Sequence, residues 1–335
     1  MKPIIDPIDR EILKSELTDD KFIRQTNACS NSIYSITAHD SPNIMREIGR
    51  LREITFRTAG GGTGEEVDID HYDTDEVPFR QLIVWNEEDE EIISAYRYIL
   101  GKDVPLNANG YPDTPTSKLF NFSEEFIHGK WQECIELGRS FVQPKYQGTT
   151  NPRLGLFSLD NMWDGLGALT VDFPEAKYFF GKMTMYNSYN RIARNMILNF
   201  LQHNFPGEEN LVKPFNPVLI EKGALKDILT EGTFKEKFKI LNENIRNLKT
   251  SIPPLIKTYM SLSATMKYFG ASANPEFGPV EEIAILIDIA DIHEEKKRRH
   301  IISYDPQKRE ERIARRRERI AKRQERREER KLNRQ

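Results

Sequence analysis

Apolar residues follow two rhythms along the chain. After Ser41-Pro42, the residues Ile44, Ile48, Leu51, Thr55 and Phe56 recur at helical spacing until Gly60, Gly61 and Gly62 stop the pattern. Ser at the cap and Pro in the first turn mark where this helix begins. Denser apolar runs then predict a strand over 80–85, a turn over 86–91 and a hairpin partner over 92–99. Residues 101–115, rich in Pro, Gly and Asn, predict a loop, and 131–142 predicts another strand that Pro144 ends. Helical patterns follow at about 159–171 and 189–203, with a strand over 178–185 between them. That order predicts an α/β fold, a mixed and mainly antiparallel sheet flanked by helices. Residues 206–295 read as a mostly helical extension punctuated by Pro214, Pro217, Pro253 and Pro254. The expected division is a lead-in over 1–34, a catalytic-size domain over 35–205, the helical extension over 206–295 and a charged tail over 296–335.

Charge sharpens this division. The chain has 335 residues, 38% hydrophobic and 30% charged, with a formal net charge of −3. Residues 296–335 hold 18 Lys+Arg against 7 Asp+Glu, a net of +11, which leaves −14 on the body. An acidic body is not the footprint of a nucleic-acid-coating domain, so nucleic acid is not an expected partner. The tail from about Gln307 has Ile313, Ile320 and Leu332 as its only large apolar residues, too few for a coiled-coil seam. It reads first as a solvated helix or disordered tail, and secondly as an element that lies on an anionic membrane surface without inserting. The N-terminal residues lack an apolar signal core, and no run approaches the roughly 20 apolar residues of a membrane span. A cytoplasmic protein, peripheral at most on the inner membrane face, is expected.

Most chemical motifs fall to simpler readings. Cys29 and Cys134 are too few for a disulfide framework or a Cys-rich zinc site. The six histidines show no metal-ligand spacing, so no metal is expected. Gly60-Gly-Gly-Thr-Gly64 lacks the Lys-Ser/Thr ending of a phosphate loop and runs into Glu65-Glu66, so it reads as a flexible loop. More telling are ionisable residues inside or beside ordered apolar segments: Arg52, Asp70, Asp73, Arg97, Glu136 and Arg139. Regular alternation puts Glu136 and Gly138 on one strand face and Leu137 and Arg139 on the other, unless a bulge intervenes. Such charges cost several kcal/mol unless paired. Residue chemistry alone leaves two readings open, a structural ion-pair network and a site for an anionic substrate.

Four motifs occur in one order: Arg52-Glu-Ile-Thr-Phe56, Asp70-His-Tyr-Asp73, Ser94-Ala-Tyr-Arg97 and Glu136-Leu-Gly-Arg-Ser-Phe-Val142. The series resembles the acyl-homoserine-lactone synthases and, more closely, the ornithine-lipid type N-acyltransferases labelled hemolysin-like, both of the GNAT acyltransferase fold. The likeness continues through Asp160-Asn-Met-Trp-Asp-Gly-Leu-Gly167, Tyr178-Phe-Phe-Gly181 and Ile252-Pro-Pro-Leu-Ile-Lys-Thr-Tyr259, covering roughly 40–290. Length and charged tail are most similar to the glycine-lipid N-acyltransferases of Bacteroidetes.

The resemblance implies transfer of a 3-hydroxy fatty acyl group from acyl carrier protein to the α-amine of an amino acid, glycine first and ornithine second. No bound cofactor is implied; the phosphopantetheine thioester is the donor substrate and the carrier protein a partner. Glu136 matches the family's base. Arg97 and Arg139 would grip the substrate carboxylate, or an acidic residue that orders the site. Arg52 and Phe56 match first-helix positions on the acyl and phosphopantetheine side, and Asp70 and Asp73 match paired acids that would hold the arginines or receive the ammonium. Val142 and Gly148 would contribute to substrate binding at the end of the strand. One departure stands out. Where coenzyme A-dependent relatives carry a glycine-rich pyrophosphate nest, Gln143-Pro-Lys-Tyr-Gln-Gly-Thr-Thr150 keeps only Gly148, in agreement with a carrier-protein donor. A signal synthase with another acceptor, and a non-enzymatic domain tethered by its tail, are the alternative expectations.

Overall fold

The computed structural model describes residues 1–148, 150, 155, 157–221 and 232–332. Its strands are β1 (Phe22–Gln25), β2 (Ser32–Ile36), β3 (Arg80–Asn86), β4 (Glu91–Leu100), β5 (Phe120–Phe122), β6 (Cys134–Val142), β7 (Tyr178–Tyr186), β8 (Val212–Pro214), β9 (Lys267–Ala273) and β10 (Val280–Asp288). The main helices are α1 (Arg10–Glu16), α2 (Pro42–Ala59), α3 (Ser158–Asp172), α4 (Arg191–Asn204), α5 (Phe234–Asn247), α6 (Pro254–Met260) and α7 (Arg309–Leu332). Eight strands form one sheet in the order β1-β2-β3-β4-β6-β7-β10-β9, and β5 pairs with β8 in a separate ribbon. Every neighbouring pair in the large sheet is antiparallel except β6–β7. This is the α/β sandwich with a mixed, mainly antiparallel sheet that the apolar rhythm predicts.

Two apolar layers cover the sheet. Ile44, Ile48, Leu51 and Phe56 of α2 bury one stripe against Tyr34, Ile83, Trp85 and Phe141, side chains from one sheet face. Ser41 takes the cap position of α2, but its hydroxyl donates to Asp40 instead of capping. The exposed amides are met by Glu16 of α1, whose carboxylate accepts from Asn43 N at 3.1 Å and Ile44 N at 2.9 Å. A carboxylate there also complements the helix dipole. Gly60 ends α2 in the left-handed region at φ 100°. Met162, Leu166 and Leu169 of α3 and Ile197, Phe200 and Leu201 of α4 belong to the second layer, with Leu82, Val84 and Ile283.

Three expectations are corrected. Residues 206–295 are not mostly helical: α5 and α6 lie there, but so do β9 and β10, the last two strands of the sheet. Ile283 to Ile287 is an unbroken buried run, and a strand covered on both faces loses the alternation that would distinguish it from a buried helix. Residues 1–34 are more than a lead-in, since they carry α1, β1 and the start of β2. The tail is helical, as one reading expected, but it is not simply solvated. Arg316 of α7 reaches Asp19 at 3.0 Å and Glu87 at 2.9 Å, and Arg309 donates to the carbonyls of Asp19 and Asp20. Among the described residues no helix is long and apolar enough to cross a membrane.

Candidate active site

A cavity opens where two strands part. β6 and β7 run parallel and pair only from Cys134↔Tyr178 to Leu137↔Gly181. Beyond Leu137, β6 stays with β4 and β7 with β10. The gap belongs to a cavity of about 790 Å³, within the range of ligand clefts. The strands contribute Glu136, Arg139, Lys182, Thr184, Tyr186 and Glu282 to its wall. Apolar lining comes from Phe56 on α2, Leu159 and Met162 on α3, Leu255 on α6, and Phe277.

The side chains share this wall because β6 is bulged. Arg97 pairs with Gly138 but Ala95 with Phe141, so β6 carries one extra residue there. Arg139 has φ 47°, a left-handed conformation that costs a side-chain-bearing residue about 1–3 kcal/mol. The extra residue restores Arg139 to the side of Glu136, against regular alternation. Arg139 is held there by Asp68 at 3.0 Å and by the ring of Phe277 4.3 Å from its guanidinium carbon.

Glu136 is buried, and the hydroxyls of Thr116 and Thr114 act on its carboxyl. Its Oε1 accepts from the Thr116 hydroxyl at 2.5 Å, while Oε2 has no hydrogen-bond partner among the described residues. Burial pushes the Glu136 carboxyl upward; the Thr116 hydrogen bond and the charge of Lys182 pull the other way without cancelling the rise. Thr116 comes from the stretch between β4 and β5, one residue past the predicted loop over 101–115.

The arginines form a closed knot with aspartates. Arg52 donates to Asp73 at 2.9 Å and to Gln81 at 2.7 Å. Arg97 donates to Asp70 at 2.6 Å and lies 3.3 Å from Asp73. Arg139 completes it through Asp68 and, at 3.6 Å, Asp70. Three guanidinium groups face three carboxylates, and the knot is electrically balanced. Burial disfavours the Asp70 carboxylate, but Arg97 outweighs it and holds the carboxyl far below its ordinary range. Arg97 and Arg139 are thus both paired with aspartates of this knot. Of the residues singled out from the sequence, Phe56, Arg97, Glu136, Arg139, Val142 and Gly148 line the cavity, while Arg52, Asp70 and Asp73 belong to the knot and do not. The Arg52 side chain is wholly buried in its ion pair with Asp73 and does not reach the cavity wall.

Lys182, Thr184, Tyr186 and Glu282 escaped the sequence reading. Lys182 did carry a signal, a cation inside the apolar strand that begins Tyr178-Phe-Phe-Gly181. Thr184 donates to Glu282 at 3.0 Å, and Asn274 donates to its other oxygen at 3.3 Å. The glycine loop after α2 has a different occupant from a phosphate. The carboxylate of Glu53 accepts from Thr63 N at 2.7 Å and Gly64 N at 3.1 Å. In the stretch after β6, Gln147 donates its side-chain amide to Val142 O at 2.7 Å, and Gly148 is exposed at the cavity wall. Thr149 lies outside the described residues.

Residues 51–156 match the family model of the acetyltransferase (GNAT) domain. A glycine N(alpha)-acyltransferase of Bacteroides thetaiotaomicron is 54% identical over 306 residues, 91% of each chain. A protein of the same name from Phocaeicola vulgatus is 53% identical over 309 residues, 92% of this chain and 95% of its own. No solved structure matches the chain significantly. The parted sheet and the buried carboxylate beside the parting thus belong to a sequence that shares over half its residues with these enzymes along nine-tenths of its length, and the chain belongs to the GNAT family of N-acyltransferases.

Proposed function

We propose that the protein moves a 3-hydroxy fatty acyl group from acyl carrier protein to the α-amine of glycine, giving the lyso form of an aminolipid at the inner membrane face. The buried Oε2 of Glu136 carries this reading. An amino acid arrives as an ammonium ion, and aminolysis of a thioester needs the neutral amine. Glu136 passes that proton to solvent and the nitrogen lone pair attacks the thioester carbon; as the C–N bond forms and the C–S bond breaks, Glu136 takes a second proton from the nitrogen. This second proton goes to the departing thiolate. Beyond Leu137 the β6 amides that face β7 have no strand partner, and they supply donors for the developing oxyanion.

Several features favour each finer element. The names of the two relatives support glycine as acceptor. The apolar arm formed by Phe56, Leu159, Met162, Leu255 and Phe277 suits an acyl chain. Glu53 already fills the glycine-loop amides, and the stretch after β6 keeps one glycine, so neither offers a pyrophosphate cradle of the kind coenzyme A needs.

Expression in a bacterium devoid of aminolipids, followed by lipid mass spectrometry, tests the reading. A new N-(3-hydroxyacyl)glycine is expected; a folded protein that yields no amide lipid refutes it. Glu136→Gln is expected to lower kcat by about 10²–10⁴-fold. Its melting temperature should hold or rise at neutral pH. A carboxyl raised by folding binds its proton more tightly in the native state, so ionising it as pH rises costs stability, and the amide removes that cost. Activity runs the opposite way: the wild-type rate should climb with pH through the raised carboxyl value and lose that limb in Glu136→Gln. Undiminished turnover by Glu136→Gln would remove it as the base.

A further inference from the structure

The knot leaves a question of charge. Glycine brings a carboxylate as well as an amine, and Arg97 and Arg139 are already neutralised by Asp68, Asp70 and Asp73. Among the described residues one other cation lines the cavity. Lys182 stands on β7, half-buried, and its ammonium forms neither a hydrogen bond nor an ion pair with any described residue. The charges of Glu282 and Glu136 act on it at longer range and favour its charged form, while those of Arg139 and Arg97 oppose it. The oxygens of Glu282 are turned to Thr184 and Asn274.

We infer that Lys182 is the carboxylate-binding residue for the acceptor amino acid, completing with Glu136 a two-point clamp across the parting of β6 and β7. This rests on the acyl-transfer reading given above. Glu136 is level with Phe180 on β7, and Lys182 is two residues further along the same strand face. Strand rise and spacing make that offset roughly 6.6 Å along and 4.8 Å across, a diagonal of about 8 Å. A glycine zwitterion held by one hydrogen bond at each end spans about the same distance. The ammonium would face Oε2 of Glu136 and the carboxylate would face Lys182.

The charge balance favours this arrangement. Burial lowers the affinity of the lysine for its proton, with Glu282 and Glu136 opposing that effect. An arriving carboxylate gives the ammonium the close counter-ion it lacks, while the amine of the same molecule meets Glu136. The acceptor thus repays desolvation at both ends, and an amine without a carboxylate repays only one.

The test compares glycine with glycinamide as acceptor, each corrected for the basicity of its amine. Wild-type enzyme is expected to favour glycine in kcat/KM by roughly 10–100-fold, the worth of one charged hydrogen bond. In K182M, which keeps side-chain length without charge, that ratio is expected to collapse towards unity, chiefly through a higher KM for glycine. A K182M protein that melts like wild type and retains the preference overturns the inference. Should K182M fail to fold, the wild-type comparison still decides: equal use of glycine and glycinamide overturns it, and a strong preference for glycine together with retained preference in K182R supports it. Absence of transfer to any amine by wild-type enzyme would instead sink the acyl-transfer reading itself.

Discussion

Arg52 illustrates how a residue can matter to a site without touching its ligand. Its guanidinium spans Asp73, Gln81 and the Asp68 carbonyl, joining α2 to β3 and to the turn before it. Replacing it by Met strands a buried carboxylate, and R52M is expected to lose about 3–5 kcal/mol in urea unfolding. An unchanged urea midpoint would show that Asp73 is content with Arg97 alone. Acid should undo the same knot. The contribution of Asp70 is present above its unfolded value of 3.8 and is lost as pH falls through its depressed folded value, so R97M should flatten the acid limb of the stability profile. At this scale the sequence was readable wherever a charge interrupts an apolar run, which is how Glu136, Arg97 and Arg139 stand out. It did not say which charges pair with each other and which remain for a substrate. Thr116 gave no signal at all, because a threonine just after a Pro-rich loop is ordinary until the fold brings it 2.5 Å from Glu136.

Among the elements, the short parallel contact between β6 and β7 governs the cavity. Gly181 sits at the last paired position, and a Cβ there would lie 2.5 Å from the carbonyl oxygen of Leu137. Backbone cannot rotate out of the way as a side chain can. G181A is therefore expected to lose about 1–3 kcal/mol and to reduce turnover, as the parting moves toward Cys134. Wild-type melting and turnover in G181A would mean that the contact is slack. The hairpin β3–β4, strand β6 and helix α2 were visible because each has one clear period and a turn or glycine at its end. The bulge was legible only as a conditional, since one inserted residue leaves no mark in a hydrophobic pattern. β9 and β10 were missed because a strand buried on both faces, and one interrupted by Gly270 at φ 101°, lack alternation.

Across the whole molecule, the basic tail is partly spent on the acidic body. Arg316 and Arg317 meet Asp19, and Arg316 also lies over the rings of Phe22 and Tyr34. Removing residues 309–335 should lower the melting temperature by about 2–4 °C in calorimetry, yet preserve turnover on water-soluble substrates. Unchanged melting would reduce α7 to a passenger, and loss of turnover would give it a part in catalysis. Composition shows the charge asymmetry at once, but not that the acidic body receives its own tail, because that pairing joins residues nearly a full chain length apart. Asp19 and Arg317 are separated by 298 positions. The same closure sets a timetable for biosynthesis. The edge strand β1 emerges from the ribosome about 280 residues ahead of its covering helix α7, and β7 about 90 residues ahead of β10. Contacts of such high sequence separation fold slowly, and the nascent chain must stay soluble with that edge uncovered.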